Sequence, residues 1–514
     1  MSSFTINSIL EKTENRDKDF RYMATSDLLA ELSKDSFKPD SDGERKICKC
    51  LLKLINDQSS DVQSLAVKCL SPLVRKVHEE LVDEVMLSLC GHVLTGTEEQ
   101  RDICSIGLKT VVLEMPPSMA SLAIRHLTPK LIQGVQRDSL EVKLECLDVL
   151  NDLLRRFASS LAEAESRECL TALFGELTSV RPAARKRAIA CIASLSASLP
   201  DRMLESQCVG NIFSQMNAPN VKVDLRRTYI QTLSAISRSG GYRLGKQLDK
   251  VVPLVLAQCM PASTTEDAEM IEACLQALES FVMRCPKEVG AFQKQVGEAA
   301  LLYLSYDPNY ADEDEEMEEE DDDAMEGDDE DEEEYSDDDD YSWKVRRAAA
   351  KVLSALILSR PDRLGVLVPM LAPTLIARFR EREENVKMDI FATFNDLLQQ
   401  VKRVGDAEGE IVDAMVVDSA GSSNAAMLST EMPRFVKAAA RQLKEKSQKT
   451  RIATFNCLRQ LVDTLPGCLA DHAAIIVPGI DKALKDTSGN GLRIEALLFL
   501  QLCLASHPPA TFQP

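Results

Sequence analysis

The chain has 514 residues, of which 60 are Lys or Arg and 82 are Asp or Glu, for a formal net charge of −22. One run carries nearly all of that excess: from Asp312 to Asp340, 23 of 29 residues are acidic and none is basic, which leaves 59 acidic against 60 basic residues elsewhere. A near-neutral remainder excludes a nucleic-acid binder that relies on a basic surface. A hydrophobic share of 45% excludes global disorder, and no run of 18 apolar residues predicts a membrane helix.

The first ten residues, Met1 to Leu10, carry neither a basic start nor a long apolar run, so no secretory signal is expected. From there on one helical pattern recurs: an apolar residue, a basic residue, a small residue three later and an apolar residue seven later. In chain order its basic slot falls at Arg21, Gln63, Arg101, Lys143, Arg185, Arg226 and Ile271, then at Arg346, Lys387, Arg451 and Arg493. The slot three later is small at nine of the eleven, including Ala24, Cys104 and Ala349, and the slot seven later is apolar at all of them, from Leu28 to Leu500. Positions i, i+3 and i+7 share one helix face. Each copy therefore predicts a helix whose small residue lets a neighbour approach and whose large apolar residue fills the core.

Most intervals between these anchors are 38 to 45 residues, the period of HEAT and armadillo repeats. Two are longer, 75 and 64, and read as one period plus an insertion. A second helical segment with an internal proline precedes several anchors, at Pro129, Pro253, Pro373 and Pro478. A proline-bent first helix paired with a straighter second helix is the HEAT unit. The expected fold is all-α: a right-handed superhelical solenoid of about eleven or twelve repeats with two insertions. The expected map has about seven repeats over 1–311, a disordered acidic insertion over 312–340, repeats over 341–403, a flexible loop over 404–430 and repeats over 431–514.

No catalytic constellation is visible. Only five histidines occur, none in an HExxH pattern; Cys90 and His92 are two ligands at most, and two do not make a zinc site. No Gly-rich phosphate loop or nucleophile elbow occurs, and Gly489 to Gly491 sits where a repeat turn belongs. The 15 cysteines form no CxxC pair, and many occupy apolar helical slots, as Cys69, Cys146, Cys191 and Cys274 do. That is the usage of small buried hydrophobes in a reducing compartment. No enzyme activity, cofactor or metal is expected. The recurring basic slot is expected to bond carboxylates or helix ends of adjacent repeats. Arg181, Arg185, Lys186 and Arg187 could pass for an import signal but fit a repeat helix better. The acidic arm, ending in Asp337, Asp338, Asp339 and Asp340, is expected to stay solvated, to attract a basic surface, or to turn back on Arg346 and Arg347. Ser336 and Ser342 are candidate phosphate acceptors.

Longer matches point further. Asp17 to Leu29, Ala66 to Leu70, Arg284 to Glu288, Tyr306 to Tyr310, Tyr335 to Asp340, Ser342 to Lys351, Glu381 to Lys387, Leu443 to Lys446 and Val477 to Ile480 resemble, in order, the cullin-associated neddylation-dissociated family. Plant-type versions are the nearest in character. The resemblance implies a non-enzymatic solenoid in the cytoplasm and nucleus, monomeric when free. It implies wrapping of un-neddylated cullin with its RING subunit and exchange of substrate receptors on SCF-type ligases, without nucleic acid or membrane. It also implies a chain truncated before the family's C-terminal half, able to grip the cullin–RING end but not to evict an adaptor. The expected contact lies in the first repeat, at Asp17, Lys18, Asp19, Arg21 and Tyr22. The rival readings are a HEAT-repeat nuclear transport receptor and an acidic-loop chaperone for basic proteins.

Overall fold

In the computed structural model the described residues are 3–260, 267–306, 341–412, 423–486 and 490–507. Every regular element among them is helical. The chain divides into two units, Met1–Leu244 and Gly245–Pro514.

The first unit holds six helix pairs. They are α1 (Ser3–Lys12) with α2 (Lys18–Leu32), α3 (Ser41–Ile55) with α4 (Ser60–Val74), and α5 (Glu79–Thr95) with α6 (Glu98–Glu114). Then come α7 (Ala120–Val135) with α8 (Leu140–Phe157) and α9 (Glu163–Leu177) with α10 (Pro182–Ser196). In the sixth pair, α11 (Asp201–Met203), a π-helical stretch (Leu204–Val209) and α12 (Gly210–Met216) together form the first helix, and α13 (Val223–Gly240) is the second. First helices stack on first helices and second on second, making two layers with the core between them.

The second unit repeats the scheme in five pairs: α14 (Leu248–Cys259) with α15 (Ala268–Arg284), α16 (Gln293–Leu304) with α17 (Ser342–Ser359), and α18 (Leu364–Ala377) with α19 (Glu384–Val412). A short helix, α20 (Asn424–Ser429), precedes α21 (Met432–Lys444) with α22 (Gln448–Thr464), and α23 (Ala473–Lys485) pairs with α24 (Asn490–Ser506). Both units are HEAT-repeat solenoids, eleven pairs in all among the described residues.

The repeat slots explain why these helices form and stack. The residue three after each anchor is buried in every pair, including the two large exceptions Tyr229 and Ile390. The residue seven after is buried in ten of eleven, and Leu500 is half-buried. Pro129, Pro253, Pro373 and Pro478 all lie inside first helices, as the sequence implied. Asp17, Asp40, Thr97, Ser139 and Ser447 cap helix starts by accepting backbone N–H bonds, each worth about 1 kcal/mol.

Helix α16 packs on α17, so the acidic run falls within the eighth pair. The residues 312–340 themselves, with Asp337 to Asp340 and Ser336, lie outside the described residues. Two expectations need correction. The loop expected over 404–430 is helical in its described parts: α19 runs on through Gly405 to Val412, and Asn424–Ser429 is a short helix. Finally, Arg346 and Ser342 are taken by the fold. Arg346 is fully buried and Ser342 nearly so, and Arg346 Nη1 donates to Ser342 Oγ at 2.8 Å. This buries the proposed phosphate acceptor and ties up the proposed partner of the acidic arm.

Candidate partner interface

The basic slot builds a ladder along one edge of each unit. Arg21 on α2 donates through Nε and Nη2 to both oxygens of Asp57, at 2.7 and 2.8 Å, in the turn after α3. Lys143 on α8 meets Glu176 at the end of α9, at 2.8 Å. Arg346 on α17 grips Glu381 after α18 at 3.0 and 3.1 Å. Lys387 on α19 reaches Glu445 after α21 at 3.5 Å, and Arg451 on α22 meets Asp486 after α23 at 2.7 Å. Each joins a second helix to the end of the first helix, or to the turn after it, in the following pair. The slot also turns back on its own pair: Arg21 Nη1 donates to the carbonyls of Asn15 and Arg16, and Arg185 Nη1 to those of Ser179 and Val180. These bonds satisfy backbone carbonyls of the turns between paired helices. The slot is structural, as its sequence pattern implied.

A second set of bonds joins neighbouring second helices side by side. Arg75 and Ser71 on α4 hold Glu114 on α6, Lys109 on α6 holds Glu145 on α8, and Arg187 on α10 holds Asp148 on α8. In the second unit Arg347 holds Asp389 and Arg459 holds Glu495. Arg185 and Arg187 thus serve the stack, and the basic cluster around them belongs to α10.

The first pair differs. Its residues Asp17, Lys18, Asp19, Arg21 and Tyr22 fall into two groups. Asp17 caps α2 by accepting from the Asp19 amide at 2.9 Å. Arg21 is drawn into the ladder, where its hydrogen bond holds Asp57 below the ordinary carboxylate range against the upward pull of burial. Lys18, Asp19 and Tyr22 remain on the surface. Beside them the sequence reading missed two side chains. Phe20 is 55% exposed and Met23 62%, against 45% for Tyr22. The buried stripe of α2 runs through Ala24, Thr25, Leu28 and Leu32, and Phe20, Tyr22 and Met23 lie off it. Their offset from the repeat register was the available signal. A cleft of about 940 Å³ has Arg21, Asp57, Glu14 and Lys53 among its walls, and none of Phe20, Tyr22 and Met23 lines it.

No group of three or more His, Cys, Asp or Glu among the described residues is arranged to hold a metal. The thiols are free, and 13 of 15 are buried. Burial pushes Cys48 and Cys69 up to about 12 and Cys90 and Cys104 up to about 11, which keeps them protonated.

No protein-family model matches the chain. Individual relatives match along all of it. It is 44% identical over 519 residues to cullin-associated NEDD8-dissociated protein 1 of Arabidopsis thaliana, covering 100% of this chain and 42% of that protein. Against cullin-associated NEDD8-dissociated protein 2 of Mus musculus it is 43% identical over 522 residues, again covering 100% and 42%. Over its whole length the chain resembles the cullin-associated NEDD8-dissociated proteins. The chain spans about two fifths of the length of these relatives. Among solved structures, a chain from the study of Kap95p binding to RanGDP superposes with a TM-score of 0.54 at 11% identity, covering 99% of this chain and 63% of that one. At that identity the likeness is one of fold alone. The sequence likeness is thus to the cullin-associated NEDD8-dissociated proteins, and the structural likeness is confined to the helical architecture.

Proposed function

We propose that this chain is a non-catalytic binder of cullin scaffolds that carry a RING subunit and lack the ubiquitin-like modifier. In that role it wraps the cullin–RING end and takes part in exchange of substrate receptors, in the cytoplasm and nucleus. The observation that carries the reading is identity above 40% along the whole chain to proteins whose names join cullins and NEDD8. Support comes from α2, where Phe20, Tyr22 and Met23 stand exposed among Asp17, Lys18 and Asp19. An aromatic anchor within a charged rim is the usual make-up of an energetic centre in a protein interface.

The test is the affinity of purified cullin–RING complex for the wild-type chain and for the triple variant Phe20→Ala, Tyr22→Ala, Met23→Ala. These side chains are exposed, so helicity should be unchanged. Binding should weaken by about tenfold or more if they form the contact, since one hot-spot truncation removes 2 kcal/mol or more, roughly 30-fold. Unchanged affinity would remove the first pair from the contact.

A further inference from the structure

Between α18 and α21, the first helices of consecutive pairs in the second unit, lies a groove of about 440 Å³. Its walls bring together Arg380, Arg434, Lys437 and Arg441, and no carboxylate lines it. All four cations are exposed. The last three recur at i, i+3 and i+7, so α21 presents them on one face. Arg434 shares Glu431 at 3.3 Å, and Arg380 and Arg441 have further interactions of their own. The floor is apolar, made by buried Ile376 and Phe379. Gln442 lies in the same wall, 4% exposed, and its Oε1 has no hydrogen-bond partner. A buried acceptor without a donor is costly and is relieved by an N–H. Cations for carboxylates, an apolar floor and an orphan acceptor for a backbone N–H together fit an acidic peptide.

The chain carries such a peptide in its own sequence, and described residues that flank it are tied to a side chain that also reaches the groove's rim. Arg346 Nη1 donates to the Tyr306 carbonyl at 3.0 Å and to Ser342 Oγ at 2.8 Å. Tyr306 precedes the acidic run and Ser342 follows it, so one guanidinium ties both of its stems. The same guanidinium holds Glu381, the residue next to Arg380 on the groove's rim.

We propose that the groove between α18 and α21 is the docking site of the chain's own acidic run, Asp312 to Asp340. Charge complementarity supplies the attraction, and the short tether supplies an effective concentration on the order of millimolar. Screening over about 8 Å at physiological salt makes the docking salt-sensitive.

The experiment uses a fluorescent synthetic peptide with the sequence of residues 328–340, read by anisotropy. It is titrated against the intact chain, a variant lacking 312–340, and that same deletion carrying Arg434→Glu, Lys437→Glu and Arg441→Glu. The deletion variant should bind at least about tenfold more tightly than the intact chain, because the tethered competitor is gone. The three reversals should abolish that binding, as should raising the salt to about 1 M. Equal binding to the intact and deleted chains would overturn the proposal, and so would binding that ignores the reversals. Matching circular dichroism of the variants guards against loss of fold.

Discussion

Removing Arg346 should destabilise the second unit by about 3 kcal/mol. The guanidinium is fully buried and makes, among the described residues, two hydrogen bonds to Glu381, one to the Tyr306 carbonyl and one to Ser342 Oγ. Breaking a buried pair by deleting one partner costs about 3–5 kcal/mol, because the other charge is stranded. Here Arg378 and the Glu383 amide still bind Glu381, which places Arg346→Ala near the lower end. Replacing both residues by Met removes both charges and should recover most of the loss. Burial alone would raise the Glu381 carboxyl. Arg346, the Glu383 amide and Arg378 outweigh it and hold the group below its ordinary range. Its stabilisation is therefore present above the unfolded value of about 4.3 and is lost as pH falls through the lower folded value. The assay is urea unfolding followed by Trp343, the chain's single tryptophan, three residues from Arg346 on the same helix. The Arg346→Ala midpoint should fall on the order of 1 M or more. A shift under about 0.5 kcal/mol, or a double Met variant no more stable than Arg346→Ala, would refute the reasoning.

Two further outcomes follow from packing and burial. A Cβ at Gly134 on α7 would lie 2.7 Å from Leu94 Cδ2 and closer still to Cys146 Sγ. Gly134→Ala should therefore cost about 1–3 kcal/mol by overpacking, despite alanine's better helix propensity. A thermal melt at or above wild type would contradict it. The thiols should label slowly in the native chain. Cys50 and Cys468, the two that are only half-buried, should react first with a thiol reagent, although burial raises both, Cys468 up to about 11. Mass-spectrometric mapping that found Cys191 or Cys457 labelled as fast would show the core to be open.

The repeat was legible because the stack imposes the same demand every 40 or so residues. Ala349 and Leu353 had to be small and large for α17 to pack, and their spacing shows it. The other half of the ladder was hidden. Asp57, Glu381 and Asp486 sit in turns and Glu176 at a helix end, where no periodicity marks them, and they meet their cations only when pairs stack. Helix α19 was cut short in the reading because Gly405 and the small residues after it resemble a loop, yet a single glycine costs a helix only about 1 kcal/mol. Phe20 and Met23 were passed over because aromatic and sulfur side chains on a helix usually face the core. The groove of Arg380, Arg434, Lys437 and Arg441 was invisible for a related reason. Its two walls come from separate pairs, and only the packing of α18 beside α21 assembles them.

The most direct test of the functional reading is capture of purified cullin–RING complex by this chain, with unmodified and NEDD8-modified cullin measured side by side. The expected result is stable capture of the unmodified form and weak or no capture of the modified one. Equal capture of both forms, or capture of neither, would contradict the proposal that these 514 residues bind the un-neddylated cullin–RING end.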